Sequence, residues 1–220
     1  MSIIKSYLHI ALFSVLIFLT VGCSVKPMPE ETPIEMAEWV ADPTPADNLP
    51  ELIANLSSDD PRVRFVSAHA LEKYGKEAIK AVPFLINNLD YEGASDVRRS
   101  AAEALGKLGP EAQEAVPKLI DVLQNEEETY QIRFSVVISL GKIKDKTAIP
   151  VLISLLYKDD RISEELAPIS AMSIAQITGE KFEDSDDYIF YGNEDGTLLI
   201  VIDARRWWEE KGQYQDWTKP

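Results

Sequence analysis

Four prolines recur at a nearly constant distance along the chain, and this period limits the possible folds more than any other feature. They are Pro50, Pro83, Pro117 and Pro150, at intervals of 33, 34 and 33 residues, and an apolar residue precedes each of them. A fixed period of this length is typical of a solenoid, in which each repeat stacks on the next. Four repeats exceed the roughly three that a stable stack requires.

The residues after each proline predict the first helix of every repeat. Counted from the apolar residue before the proline, the third, fourth and seventh positions are always Leu or Ile. They are Leu52, Ile53 and Leu56, then Leu85, Ile86 and Leu89, then Leu119, Ile120 and Leu123, then Leu152, Ile153 and Leu156. This spacing is the apolar stripe of an amphipathic helix, with the proline in the first turn, where its missing N–H costs nothing.

A second helix is predicted in each repeat from a second apolar period. Its anchors are Leu71, Leu105, Leu140 and Ile174. The residue before each anchor is small, which lets neighbouring helices approach closely: Ala70, Ala104, Ser139 and Ser173. Glycines follow three of these helices, as expected of C-terminal caps: Gly75, Gly109 and Gly179. Pro168 is expected to begin a shortened second helix in the fourth repeat, which would change the angle of that repeat.

The repeats resemble HEAT repeats, specifically the short bacterial type that is also found in phycobilin lyases. The stretches DPRVRFVSAHALEKYG, SDVRRSAAEALGKLG and EAVPKLIDVL carry the resemblance. It covers about residues 49–179, which divide into repeats at 49–79, 80–113, 114–146 and 147–179. The resemblance implies an all-α solenoid of helical hairpins. It says little about function, because the core residues of a stacking unit are the same whatever the protein binds.

Three arginines stand at one equivalent position, seven residues before the second-helix anchor: Arg64, Arg98 and Arg133. The HEAT resemblance implies a ladder in which such arginines pair with acidic residues of adjacent repeats, and Asp60 and Asp96 are suitable partners. The alternative is a basic stripe on an otherwise acidic solenoid, available to a carboxylate-bearing partner.

The first 22 residues have the layout of a signal peptide, with Lys5 before an apolar run over residues 10–21 and Gly22 before Cys23. The segment Leu-Thr-Val-Gly-Cys resembles the lipobox of bacterial lipoproteins, which implies that Cys23 becomes the acylated first residue of the mature protein. Ser24 after the cysteine favours the outer membrane, facing the periplasm. The alternatives are an uncleaved membrane helix over residues 6–22 and soluble export.

Two segments flank the repeats. Residues 23–48 are acidic and rich in proline, which predicts an extended linker, and Trp39 within it either folds back onto the first repeat or anchors a partner. Residues 180–220 are expected to close the stack. They contain two β-prone runs, 188–191 and 197–202, around a Gly-Asn-Glu-Asp-Gly turn, which predict a small hairpin.

Asp203 is expected to cap a final helix that contains Trp207 and Trp208. These tryptophans either cover the last repeat or serve as aromatic binding anchors.

Charge and composition narrow the function. The formal charge is −15, and because residues 1–22 contain only Lys5, the remainder carries 21 basic against 37 acidic residues, or −16. Such a surface repels nucleic acid. With one cysteine, no intrachain disulfide or cysteine-ligated metal site is expected, and no cofactor either. The acidic clusters lack the ligand spacing of a calcium loop.

The sequence offers no pair of nucleophile and base, so we expect no catalysis. His69 is the one histidine of the mature chain, and we expect it on a helix surface. The leading hypothesis is a lipid-anchored scaffold of the bacterial envelope that binds another protein, through the surface of its second helices or the ridge of its inter-helix loops. The alternative is a bilin lyase or a chaperone-like accessory protein for chromophore attachment, which the repeat subtype suggests.

Overall fold

A computed structural model describes residues 47–158, 160–182 and 199–218. All of them belong to the second of two compact units, Pro43–Pro220. The predictions for Cys23, for the linker up to residue 46, and for the part of the hairpin before residue 199 lie outside the described residues. None of the helices that are described is long and apolar enough to cross a membrane.

The described residues form an all-α solenoid, as predicted. Its α-helices are α1 Leu49–Asn55, α2 Pro61–Ala70, α3 Val82–Asn88, α4 Ser95–Leu108, α5 Val116–Gln124, α6 Tyr130–Ile143, α7 Ile149–Tyr157, α8 Arg161–Thr178 and α9 Leu199–Glu210. Short 3₁₀ segments lie at Leu71–Ala81, Gly109–Ala115, Lys146–Ala148 and Gly212–Tyr214. The first three connect each helical pair to the next.

The apolar period builds one continuous core. The leading leucine of each first-helix stripe is fully buried: Leu52, Leu85, Leu119 and Leu152. The second helices pack directly against one another in the order α2, α4, α6 and α8. Two serine hydroxyls hold this layer together, since Ser139 donates to the carbonyl of Ala102 at 2.7 Å and Ser173 to that of Val137 at 2.9 Å.

The helix ends follow from local side chains. Asp60, Thr129 and Asp160 precede second helices, and their side chains accept hydrogen bonds from first-turn N–H groups. At the C-terminal end of α8, Gly179 adopts a left-handed conformation with φ 76°. The equivalent residue after α6 is Lys144, which takes the same conformation with φ 62° although it has a Cβ.

Two expectations were wrong, one about the last repeat and one about the C-terminal cap. Pro168 lies inside α8, which runs for 18 residues, instead of beginning a shortened helix. The proline removes one backbone hydrogen bond, to the carbonyl of Glu164, and water can replace it because Glu164 lies at the exposed surface. Similarly, α9 begins at Leu199, so residues 199–202 are helical and Asp203 lies inside the helix instead of capping it.

Candidate functional site

Arg64 connects the first repeat to the second. Its guanidinium donates to the carbonyl of Ser58 at 2.5 Å and to that of Leu56 at 3.0 Å, both in its own repeat. The same group donates to Oδ1 of Asn88 at 2.6 Å and lies 4.6 Å from the centre of the Tyr91 ring, both in the second repeat. The three hydrogen bonds and the ring contact leave Arg64 little capacity for an external ligand.

Arg98 makes the corresponding connection one repeat later. Its Nη1 donates to the carbonyl of Tyr91 at 2.9 Å, and its Nε lies 2.7 Å from Oε1 of Glu128, in the third repeat. The Arg98 side chain is 18% exposed and the Glu128 side chain 9%, so solvent screens this ion pair only weakly.

Arg133, the third member of the column, is 4% exposed. The pKa of Asp160 is lowered chiefly by the hydrogen bond from the Ser163 hydroxyl, and the positive charge of Arg133 contributes to the same shift. Arg64 and Arg98 therefore contact the next repeat, and Arg133 is buried, so the three arginines do not form an accessible basic stripe.

The acidic partners that we expected for the ladder were wrong. Asp60 pairs with Arg62 at 2.8 Å at the start of α2, and Asp96 pairs with Arg99 at 2.9 Å in the first turns of α4. The reason is local: Asp60 also accepts a hydrogen bond from the N–H of Arg62, and both aspartates have a basic residue two or three positions later.

The two predicted tryptophans lie in the C-terminal cap. Trp207 is buried, with its ring centre 6.0 Å from that of Phe182 and 6.1 Å from that of Trp217, and Trp208 stacks on Trp217 at 6.5 Å. Arg205 of the same helix donates to the carbonyl of Leu156. The helix α9 thus covers the last repeat, and the Trp207 ring is not presented to a partner.

Sequence reasoning missed a groove between two inter-helix loops. It has a volume of about 440 Å³ and lies between the α3–α4 loop and the α5–α6 loop. Its lining consists of Leu89, Asp90, Glu92, Arg98, Lys118, Asp121, Val122, Asn125, Glu127 and Glu128. The loop ridge was one of the two candidate surfaces, but no periodic signal marks these residues.

The groove carries an excess of negative charge. Five of its lining residues are acidic and two are basic. The basic ones are already paired, Arg98 with Glu128 at 2.7 Å and Lys118 with Asp90 at 2.5 Å. Within the part of the chain that the structure describes, Glu92, Asp121 and Glu127 have no ion pair. Leu89, which also lines the groove, is buried. The negative charge of the three carboxylates favours an occupant that carries cationic groups.

The described residues contain no group of three or more His, Cys, Asp or Glu side chains that could hold a metal ion.

Sequence comparison agrees with this architecture. A profile of HEAT repeats matches residues 25–106 and 82–169, which together exceed half of the chain. The chain belongs to the HEAT-repeat family. No curated protein matches it.

One similar solved structure is the complex of CpcE and CpcF of phycocyanin lyase from Nostoc sp. PCC7120. The matching chain is 28% identical to this one, and the match covers 71% of this chain and 71% of that chain with a TM-score of 0.49. The expectation that this HEAT-repeat chain catalyses nothing is corrected by this finding, because a similar HEAT-like chain belongs to a lyase complex. A lack of recognisable catalytic pairs in the sequence was too weak a reason for that expectation.

Proposed function

We propose that this HEAT-repeat protein is a lipid-anchored scaffold of the bacterial envelope that holds a basic protein partner in the groove between its inter-helix loops. The signal-peptide layout and Cys23 support the anchor, with the outer membrane facing the periplasm as the location. Acyl chains on Cys23 would contribute about 0.8 kcal/mol per buried CH₂, and more than one chain makes attachment stable.

The single observation that carries the binding proposal is the set of three unpaired carboxylates around the groove: Glu92, Asp121 and Glu127. Each of them places a negative charge without an ion pair at the groove, and a partner's lysine or arginine side chains would be attracted to these charges. The neighbouring Arg98–Glu128 pair fixes the two walls, so the groove is preformed and a partner pays little for ordering it.

The excess of acidic over basic residues along the whole chain also favours a basic protein as the partner. With a charge of −16 after residue 22, the protein attracts basic partners over a distance of about 10 Å and repels acidic ones. The linker before the first repeat would let the scaffold reach away from the membrane surface, since about 25 extended residues span on the order of 80 Å.

The test is capture of partners from detergent-solubilised envelope. The wild-type protein is compared with a groove variant, Glu92→Gln, Asp121→Asn and Glu127→Gln, and with a control variant, Glu77→Gln, Glu114→Gln and Glu210→Gln. The control removes the same charge from exposed carboxylates outside the groove. We expect wild type and the control variant to capture a basic protein, and we expect the groove variant not to retain it. Identical sets from all three proteins would refute the groove as the binding site.

The anchor has a separate test. Labelling of cells with a palmitate analogue should modify the wild-type protein and leave Cys23→Ala unlabelled. Equal labelling of both proteins would remove the lipoprotein claim without affecting the groove.

One measurement separates the scaffold from the alternative of a bilin-handling accessory protein. The purified protein is mixed with a bilin and the absorbance spectrum is recorded. A spectral shift that persists after denaturation would indicate covalent attachment and would favour the alternative.

A further inference from the structure

The turn between α6 and α7 carries three lysines within five residues: Lys142, Lys144 and Lys146. All three are exposed, and none of them has an ion pair among the described residues. The acidic residue among them, Asp145, is only 6% exposed, and its carboxylate accepts hydrogen bonds from the N–H and the hydroxyl of Thr147 at 2.8 and 2.7 Å. We call the three lysines the lysine turn.

The lysine turn lacks a carboxylate that the preceding repeat has. Lys107, the equivalent of Lys142, lies 2.7 Å from the carboxylate of Glu72 in the repeat before it. One repeat later the position of Glu72 is occupied by Gly106. A side chain does not fit there, because a Cβ at Gly106 would lie 2.5 Å from Oγ of Ser139. Close packing of the second helices therefore leaves Lys142 without the partner that Lys107 has.

The backbone of Lys144 gives an independent reason to look for a use of this charge. Among the described residues, Lys144 is the one non-glycine residue with a positive φ, 62°. The equivalent residues after the two preceding second helices are Gly75 and Gly109, with φ 49° and 66°. Stability alone favours glycine in this conformation, because a Cβ strains it. A lysine kept at a strained position indicates a function for its side chain.

The lysine turn and the acidic groove lie at opposite ends of α6. The α5–α6 loop, which contributes Glu127 and Glu128 to the groove, precedes this helix, and the lysine turn follows it. A helix of 14 residues is about 21 Å long. Salt screens exposed charges beyond about 10 Å, so the groove carboxylates do not cancel the positive charge of the turn.

We propose that the lysine turn docks on anionic phospholipid headgroups of the membrane to which the chain is anchored. This inference rests on the lipid anchor of the proposed function. The anchor would hold the repeats at a high effective concentration near the lipid surface, so a small number of lysines suffices for docking. With this end of α6 on the membrane, the acidic groove points away from the lipid, where a basic partner can enter it.

The test measures how fast each lysine reacts with a water-soluble amine-acylating reagent. The full chain is added from detergent to preformed vesicles of neutral phosphatidylcholine, or of phosphatidylcholine with anionic phosphatidylglycerol, and flotation reports attachment. Native envelope is labelled in the same way, and mass spectrometry identifies the modified lysines. The variant Lys144→Gly removes one charge together with the backbone strain. The control Lys158→Gln removes one charge from the α7–α8 loop, at the other edge of the repeats.

We expect the lysine turn to react at least about fivefold more slowly on anionic than on neutral vesicles, while Lys158 reacts equally on both. Lys144→Gly should weaken the protection of Lys142 and Lys146, and Lys158→Gln should leave it unchanged. Equal reactivity of the turn on both kinds of vesicle, with the protein attached, would overturn the docking and leave the anchor intact.

Two other outcomes would also overturn the proposal. A chain that does not float with vesicles would contradict the anchor, and the docking with it. Protection of the lysine turn in native envelope, but not on anionic vesicles, would assign the turn to an acidic protein instead of lipid.

Discussion

Gly106 of α4 packs against Ser139 of α6 so closely that a Cβ at Gly106 would lie 2.5 Å from Oγ, 2.8 Å from Cβ and 2.9 Å from Cα of Ser139. The glycine lets the Ser139 hydroxyl reach the carbonyl of Ala102 at 2.7 Å. Gly141 and Ser173 repeat the relationship between α6 and α8. The close stacking of the second helices thus depends on a glycine in one helix and a serine in the next.

Gly106→Ala should therefore destabilise the protein, although alanine is the better helix former. We expect a loss of about 1 to 3 kcal/mol, as for other overpacked cores, measured by urea denaturation. Combining it with Ser139→Ala should restore little, because the Cβ and the backbone of residue 139 still clash. A Gly106→Ala protein as stable as wild type would show that the helices separate at no cost.

Arg98→Ala should lower the thermal midpoint by several degrees. It leaves the Glu128 carboxylate, whose side chain is 9% exposed, without its cation, and breaking a buried pair typically costs about 3 kcal/mol. Arg62→Ala is the control, since that side chain is 57% exposed and pairs within its own helix. Equal midpoints for Arg98→Ala and wild type would mean that the arginine column does not hold the repeats together.

Lys144→Gly should stabilise the protein. Lys144 adopts φ 62° at the end of α6, a conformation that costs a non-glycine residue about 1 to 2 kcal/mol. Glycine removes this cost, and its greater freedom in the unfolded chain offsets part of the resulting gain in stability. Gly179→Ala at the equivalent end of α8 is the reciprocal change and should destabilise by strain alone, as no atom lies within 4 Å of the added Cβ. Denaturant midpoints that move in the opposite directions would contradict this account of the helix ends.

Asp160 should make stability depend on pH in the acid range. Its folded pKa lies below the ordinary 3.8, chiefly because Ser163 donates to the carboxylate, so its contribution is complete above that value and is lost as pH falls through the folded pKa. Asp160→Asn keeps a capping side chain but cannot titrate. The midpoint difference between wild type and variant should shrink as pH falls below 3.8; a constant difference would exclude the ionised carboxylate as its source.

The repeat period predicted the parts of the fold that burial of apolar side chains decides. Every leading stripe leucine from Leu52 to Leu152 is fully buried, and two of the small residues before the anchors, Ser139 and Ser173, lie at close helix contacts. Pro168 was misread because an interior proline costs about 3 kcal/mol and usually ends a helix, whereas the packing of α8 against α6 and α7 outweighs that cost here. The start of α9 was misread because the β-prone residues 199–202 pack as a helix against the last repeat, a tertiary contact that local propensity does not encode.

The candidate site could be predicted far less well than the fold. The arginine column was visible as a period, but its partners Asn88 and Glu128 lie 24 and 30 residues away, outside any helical spacing. The acidic groove depends on which carboxylates remain unpaired after Lys118 and Arg98 have found partners. That distribution is a result of three-dimensional packing and leaves no mark in the order of the residues.

The central claim is that carboxylates of the groove contact basic side chains of a partner, and carbodiimide cross-linking tests it most directly. The reagent joins a carboxylate to an amine only where the two groups touch, as in a salt bridge. Cross-linking of the captured complex, followed by mass spectrometry, should join partner lysines to Glu92, Asp121 or Glu127, and the control variant should give the same links. The proposal would be contradicted if the links joined only carboxylates outside the groove. It would also be contradicted if the groove variant were cross-linked to the same partner as wild type.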